Sequence, residues 1–457
     1  MKKLLTAFLF LSLLLSRTDL SGANENKFLF FSDVHFDPLY DTTLVHELVI
    51  EDFENWEKVF LTSKIKLISS YGSDSNFPLL VSSLEDMKMR IPEPDFIIIT
   101  GDFMSHNFNE NFVHYSGLNN MYALNNFIDK TMKFITLMIT KHYPQTQIFP
   151  MLGNDDADCG NYMVAPGGEF LKNVSQMWEP LINKSESNIE FKNDFAKGGY
   201  CIANIPGHEK NKIIILNTVF FSMKYKNLCG DTLADPGAEE LAWLSETLQQ
   251  CRDSSFKVWM TYHIPPGIDI YGTITDTGVC AERIMSTWKK KYNDPFLDII
   301  SNYSDVINAG FAGHFHRDDF RVIYKENKPV SFIKLNSSIS PIYGNNPAYE
   351  IVEYDQKNFT LLNYDTYYVQ DIKTDSASWT FAYNFGNSFN QTDISPQSLA
   401  EVRSLIFEDR EYRLKYIKYY TANNEKVYDK DLANWFYNWC GFANLTTESY
   451  ENCFCNE

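Results

Sequence analysis

Five short apolar runs, far apart in the chain, each lead directly into residues that can hold a cation or move a proton. Phe28–Phe31 runs into Ser32-Asp33-Val34-His35, and Phe96–Thr100 into Gly101-Asp102. Ile148–Leu152 runs into Gly153-Asn154-Asp155-Asp156, Val258–Tyr262 into His263, and the strand near residue 310 into Gly313-His314-Phe315-His316. Nearly continuous apolar segments of this length read as strands buried on both faces. In open α/β sheets, ligands collect at the carboxyl ends of the strands. Five strand ends therefore deliver Asp, His and Asn to one edge.

Further runs at Lys212–Leu216, Phe332–Leu335, Tyr349–Val352 and Phe359–Leu362 extend the strand pattern. Helical segments alternate with the early strands: Phe53–Ser69, Leu79–Met89, Ala123–Lys141 and Pro236–Cys251. Alternation of this kind implies an α/β layer architecture. From residue 371 the character changes. Ser395 and Pro396 open a helix carrying Leu399, Val402 and Ile406 at helical spacing, and an aromatic stretch at Trp435, Phe436, Tyr437 and Trp439 follows. Residues 371–457 are expected to form a mainly helical, disulfide-stapled subdomain behind a main domain at 24–370.

Residues 1–23 read as a signal peptide. Lys2 and Lys3 precede a short apolar run, and Ser21-Gly22-Ala23 provides small residues for cleavage. The run is shorter than the roughly 20 residues a spanning helix needs. Seven Asn-x-Ser/Thr sites, at Asn173, Asn183, Asn302, Asn336, Asn358, Asn390 and Asn444, point to a glycoprotein. Eight cysteines, an even number, suit disulfide pairing in an oxidising compartment, with Cys440, Cys453 and Cys455 placed to staple the tail. The expected location is secreted or lysosome-like. A formal net charge of −19 argues against a nucleic-acid polymer as partner. It would also repel an anionic substrate unless bound cations reversed the local field.

Any one of these fragments is weak, since His-x-His pairs and Gly-Asp turns are common. Their distribution is not. Of nine histidines, four (His35, His263, His314, His316) lie in strand-end motifs, and His106 follows Asp102 by four residues. Hard oxygen donors mixed with imidazole suit zinc, manganese, iron and similar divalent ions. Two such ions about 3.5–4 Å apart can share a carboxylate and a hydroxide, polarise phosphoryl oxygens and acidify a water. Asp102, central in the series, is the natural bridge. The glycines before Asp102, Asn154 and His314 let the backbone turn sharply there.

In this order Asp33-x-His35, Gly101-Asp102, Gly153-Asn154, His263 and Gly313-His314-x-His316 resemble the calcineurin-like metallophosphoesterases. Asp33-Val34-His35-Phe36-Asp37-Pro38, Tyr262-His263-Ile264-Pro265-Pro266-Gly267, His314-Phe315-His316-Arg317-Asp318 and Ser338–Pro347 narrow the resemblance to the acid sphingomyelinase-like phosphodiesterases. It covers roughly residues 27–450. The resemblance implies a four-layer α/β sandwich, two central β-sheets flanked by helices, with the small helical C-terminal subdomain appended. It implies two divalent metal ions, zinc being the first choice from the imidazole count. Asp33, His35 and His316 would hold one, Asn154, His263 and His314 the other, and Asp102 would bridge both. His106 matches a family histidine that protonates the leaving alkoxide, the attacking group being a hydroxide shared by the metals.

Three departures stand out. The family usually has His where this chain has Asp155, and often Cys where it has Ser73, so one family disulfide is expected to be missing. Only a few residues separate Ala23 from the first strand, which leaves no room for a saposin-like lipid-presenting domain. The expected partner is a phosphodiester, either a phospholipid headgroup such as sphingomyelin, met in transient contact with a membrane surface, or a soluble nucleotide or choline nucleotide diester. The contrasting expectation is a non-catalytic, ligand-binding glycoprotein, which Asp155 alone encourages.

Overall fold

The computed structural model describes residues 26–184, 189–229, 234–372, 377–425 and 428–455. The signal-peptide reading of 1–23 lies outside them. In chain order the strands are β1 (Asn26–Phe31), β2 (Phe96–Ile99), β3 (Gln147–Pro150), β4 (Cys201–Ile205), β5 (His208–Ile215), β6 (Lys257–Thr261), β7 (Ile307–Ala312), β8 (Asp319–Lys325), β9 (Lys328–Leu335), β10 (Ala348–Asp355), β11 (Thr360–Val369) and β12 (Trp379–Asn384). They form two six-stranded sheets, ordered β12-β11-β10-β1-β2-β3 and β4-β5-β6-β7-β9-β8.

Within the first sheet β1, β2 and β3 are parallel, and within the second β5, β6, β7 and β9 are parallel. Large aromatic side chains lock the sheets face to face. Phe28 lies 5.3 Å from Trp259 and 5.7 Å from Phe311, and Phe30 lies 5.4 Å from Phe311. All four are fully buried. Offset and edge-to-face pairs of this kind add to what area burial supplies.

Each of the nine runs taken as strands is one, and helices Phe77–Arg90, Met121–His142 and Pro236–Asp253 stand where the spacing put them. The expected helix over 53–69 is shorter. A 3₁₀ turn at Phe53–Asn55 leads into Trp56–Leu61 and stops, because Thr62 Oγ bonds back to Val59 O at 2.7 Å and Ser63 Oγ turns away to Asp41. Hydroxyl bonds to nearby groups compete with helix continuation. Strands β4, β8 and β12 were not legible. In β8 the reason is charge: Asp319 and Arg321 interrupt the apolar pattern, yet both are buried as an ion pair at 2.6 Å. Beyond β12 the chain is helical. Ser395 closes a capping box at the start of Pro396–Glu408, followed by Arg410–Tyr420, Trp435–Gly441 and Thr447–Phe454.

Disulfides Cys440–Cys453 and Cys280–Cys455 tie down the tail, and Cys159–Cys229 staples a loop beside the site. The even cysteine count does not mean full pairing: Cys201 and Cys251 are buried thiols, packed as small apolar side chains. One sequon is also corrected. Asn336 is fully buried and its amide donates to Phe30 O at 2.8 Å, so no glycan can be attached to it in the folded chain. Asn173, Asn302, Asn358 and Asn390 are exposed.

A buried ion cluster joins the sheets next to the site. Lys334 on β9 donates to Glu350 on β10 at 2.6 Å and to Asp318 at 2.8 Å, and Asp318 also accepts from Tyr383 on β12. Removing one partner from such a cluster leaves an uncompensated charge out of water. Lys334→Met is expected to cost about 3–5 kcal/mol of stability, read as a lower midpoint in urea unfolding followed by tryptophan fluorescence.

Candidate metal centre

The carboxyl ends of β1, β2 and β3 meet those of β6 and β7 along one edge of the sandwich, and the seven residues expected to ligate converge there. His35 Nε2 lies 3.5 Å from Asp102 Oδ2 and 3.1 Å from His316 Nε2, and His316 Nε2 lies 3.3 Å from Asp33 Oδ1. On the other side of Asp102, His263 Nε2 lies 2.9 Å from its Oδ2, 3.2 Å from Asn154 Oδ1 and 3.3 Å from His314 Nδ1. The donors of Asp33, His35 and Asp102 fall within 4.8 Å of one another, as do those of Asp102, His263 and His314. Asp102 thus sits between two groups of donors. All seven are buried except His314, which is half-buried.

The backbone accepts strain to achieve this. Asp33, His35, Asp102, His314 and His316 all have left-handed backbones, with φ between 41° and 74°. Such conformations are uncommon away from glycine and cluster at functional sites. The three glycines serve close approach. A Cβ on Gly101 would stand 2.7 Å from Gly153 N, one on Gly153 would strike the Asp102 carboxylate, and one on Gly313 would strike Ser32 and Asp33.

Hydrogen bonds fix which nitrogens face inward. His35 Nδ1 meets Met104 O at 2.9 Å and His263 Nδ1 meets Thr100 O at 2.6 Å. A carbonyl only accepts, so each Nδ1 carries a hydrogen and each Nε2 is the nitrogen turned to the site. Burial lowers His35 to about 4 and keeps it neutral, whereas His263, although burial opposes it, is raised to about 9 by the Asp102 carboxylate that its Nε2 meets, a proton that a bound cation would displace. Both Nε2 atoms face the oxygens of Asp102, and the side chains of Asp33, Asp102, Asp155 and Asp156 are all buried nearby. Burial, then the neighbouring charge of Asp102, raises Asp33 to about 7 even though His263 opposes it. Lone pairs and carboxylates packed this closely fit divalent cations, and the mixed imidazole, carboxylate and amide oxygen donors fit zinc or a similar ion.

His106 stands at the mouth of the group, stacked on His35 with ring centroids 4.1 Å apart. Asp74 orients it, with Oδ1 3.0 Å from Nδ1 and Oδ2 accepting the His106 backbone N–H at 2.8 Å. Burial lowers the His106 pKa, but the Asp74 hydrogen bond and charge outweigh burial and leave it raised. Asp155, at the usual family histidine position, is buried with its Oδ2 3.8 Å from His106 Nε2, and accepts from Asn154 Nδ2 at 3.0 Å. Burial and the charges of Asp102 and Asp156 raise its carboxyl well above the ordinary range. Asp156 accepts the backbone N–H groups of Phe103, Met104 and Gly153, which ties the β2 and β3 loops together.

Sequence reasoning assigned no role to Asp74, Asp156 or Tyr343. Asp74 lies in a loop far from any strand end, and no sequence signal marks it. Asp156 lies two residues after Asn154 and could have been noticed as a loop anchor, since a carboxylate in a tight turn commonly accepts backbone N–H groups.

Residues 26–318 match the family model described as calcineurin-like phosphoesterase. The chain belongs to that family. Residues 330–457 match the acid sphingomyelin phosphodiesterase C-terminal region, which places it among the acid sphingomyelinase-like phosphodiesterases as a metal-dependent phosphodiester hydrolase. Similar curated proteins include sphingomyelinase phosphodiesterase C of Dictyostelium discoideum, 28% identical over 94% of this chain and 92% of its own. Cyclic GMP-AMP phosphodiesterase SMPDL3A of Bos taurus is 26% identical over 95% of this chain and 92% of its own. Acid sphingomyelinase-like phosphodiesterase 3b of Mus musculus is 25% identical over 95% and 91%.

Gly153→Ala is expected to weaken zinc binding at least about 10-fold, because the new methyl displaces Asp102. Metal content after dialysis against a zinc buffer checks this, with circular dichroism confirming that the variant folds.

Proposed function

We propose that this chain hydrolyses a phosphodiester to a phosphomonoester and an alcohol with two divalent cations, zinc being the first choice. Asp33, His35 and His316 would hold one, Asn154, His263 and His314 would hold the other, and Asp102 lies between the two groups of donors. The observation that carries the reading is the convergence of these seven side chains about Asp102, with an Asp74-oriented imidazole at the rim. When bound, the ions supply charge that polarises the phosphoryl oxygens and lowers the pKa of an attacking water. The chain's own residues do the rest. Asn154 keeps its oxygen inward because its amide nitrogen is spent on Asp155 and on Asn161 at 3.0 Å. Asp74 holds the His106 ring so that Nε2 faces the centre. As the water oxygen, having released one proton to solvent, bonds to phosphorus and the opposite P–O bond breaks, His106 Nε2 gives its proton to the departing oxygen.

The cations also account for anion binding by a chain of net charge −19, since without them the buried carboxylates would repel a phosphate. Sphingomyelin is one substrate reading, carried by the names of the Dictyostelium relative and of the C-terminal family model. The second is a soluble nucleotide diester, as the name of the bovine relative suggests for that protein. One observation favours the second. The aromatic C-terminal stretch that could have met a bilayer is half-buried, with Arg413 over Trp435 at 3.7 Å and Arg403 over Trp439 at 3.8 Å. Passage through the secretory route is supported by the disulfides and the exposed sequons. No helix among the described residues is long and apolar enough to cross a membrane.

Chelation is expected to abolish hydrolysis of both sphingomyelin liposomes and cyclic GMP-AMP, and zinc to restore it on whichever is the substrate. His106→Ala should lower kcat about 10²–10⁴-fold on an ester with an alkoxide leaving group, and far less on a p-nitrophenyl ester, whose leaving group needs no proton. Equal losses on both esters would remove His106 from the acid role.

A further inference from the structure

Tyr343 belongs to the Ser338–Pro347 stretch and combines a fixed backbone with a half-exposed side chain. Gly344 takes φ +77° and donates to Pro341 O at 3.1 Å, and Arg317 donates to Tyr343 O at 3.0 Å. The fully buried Asn345 amide donates to Ser340 O at 3.1 Å and to Ser338 O at 3.4 Å. The Tyr343 side chain stands on this platform half exposed, at 50%. Its ring meets His316 at 4.8 Å and His106 edge-on at 5.5 Å, and its hydroxyl lies 3.1 Å from His106 Nε2.

We propose that Tyr343 is a substrate-displaced gate whose hydroxyl holds the leaving-group position at His106 Nε2 until a phosphodiester takes its place. The inference rests on the reading of His106 as the proton donor. Asp74 already occupies Nδ1, so Nε2 is the nitrogen through which His106 meets a substrate. One ring nitrogen makes one in-plane hydrogen bond, so the phenol and the departing oxygen compete for it. The ring can leave without disturbing the metal loops, because an exposed side chain on a rigid backbone turns about its rotamers on the ps–ns scale. The hydroxyl–imidazole bond is then lost on every binding event. A contact made only in the free protein weakens substrate binding without serving the transition state.

The test uses zinc-loaded wild type, Tyr343→Phe, Tyr343→Ala and Asp102→Ala, with bis(p-nitrophenyl) phosphate and p-nitrophenyl phosphorylcholine as substrates. The Phe variant keeps the ring and removes only the competing hydroxyl. Its KM should fall about 2–10-fold, the range of one neutral hydrogen bond, while kcat stays within about 2-fold. Calorimetry with dimethyl phosphate, a diester too inert to turn over during the measurement, should show the same tightening. A fall in kcat at constant KM would make Tyr343 a direct catalytic group and overturn the gate, as would unchanged affinity for dimethyl phosphate. Tyr343→Ala should also bind more tightly, and weaker binding there with no gain in the Phe variant would assign the ring to substrate contact. Failure of the hydrolytic reading has a different signature: wild type would be no faster than Asp102→Ala, whereas failure of the gate leaves that difference intact.

Discussion

The loops of this molecule are arranged around a concentration of buried carboxylates and inward-facing imidazole nitrogens, a set suited to hold cationic charge. Burying an ionised group costs several kcal/mol unless it is paired. Here Asp33, Asp102, Asp155 and Asp156 are buried together, and no lysine or arginine forms an ion pair with any of them among the described residues. Lysine is reserved for the neighbouring cluster, where Lys334 answers Asp318 and Glu350. The two sets of acids lie close in the fold and meet burial differently: one is answered by a fixed ammonium that joins the sheets, and the other has no fixed cation and is able to hold a divalent ion.

The strained backbone has the same origin. Five site residues in the left-handed region would each be unfavourable in an ordinary loop. They persist because the loops are over-determined: Asp156 gathers three backbone N–H groups, Gly153 and Gly313 allow contacts no side chain would permit, and the aromatic inter-sheet core holds the strands from which the loops spring. Preorganisation of this kind keeps the donors in place before any ion or substrate arrives. At the rim the constraint relaxes. His106 is held on one side by Asp74, and its other nitrogen faces the half-exposed Tyr343.

Asp155 shows how a local departure can be absorbed. A carboxyl placed among four other acids would be disruptive if charged, yet burial holds its pKa high, and it takes a hydrogen bond from Asn154. The seven donors still converge around Asp102 beside it, so the carboxyl is accommodated without moving them.

The sequence by itself determined the strand ends and what they carry. Apolar runs buried on both faces are legible because their composition has no polar alternation to confuse, and Asp33, His35, Asp102, Asn154, His263, His314 and His316 lie within a few residues of those runs. Order along the chain was enough to gather them. What only the tertiary structure decided lies off the strands or against the polarity rule. Asp74 meets His106 across 32 residues of sequence separation, and Tyr343 meets it across 237. Strand β8 hides a buried Asp319–Arg321 pair, and Asn336 is withdrawn from glycosylation by packing against β1. The physical reason is common to all of these. Hydrophobic periodicity reports which face of a local element is buried, whereas a hydrogen bond or ion pair between loops depends on where two distant segments end up, and neither segment carries the other's address.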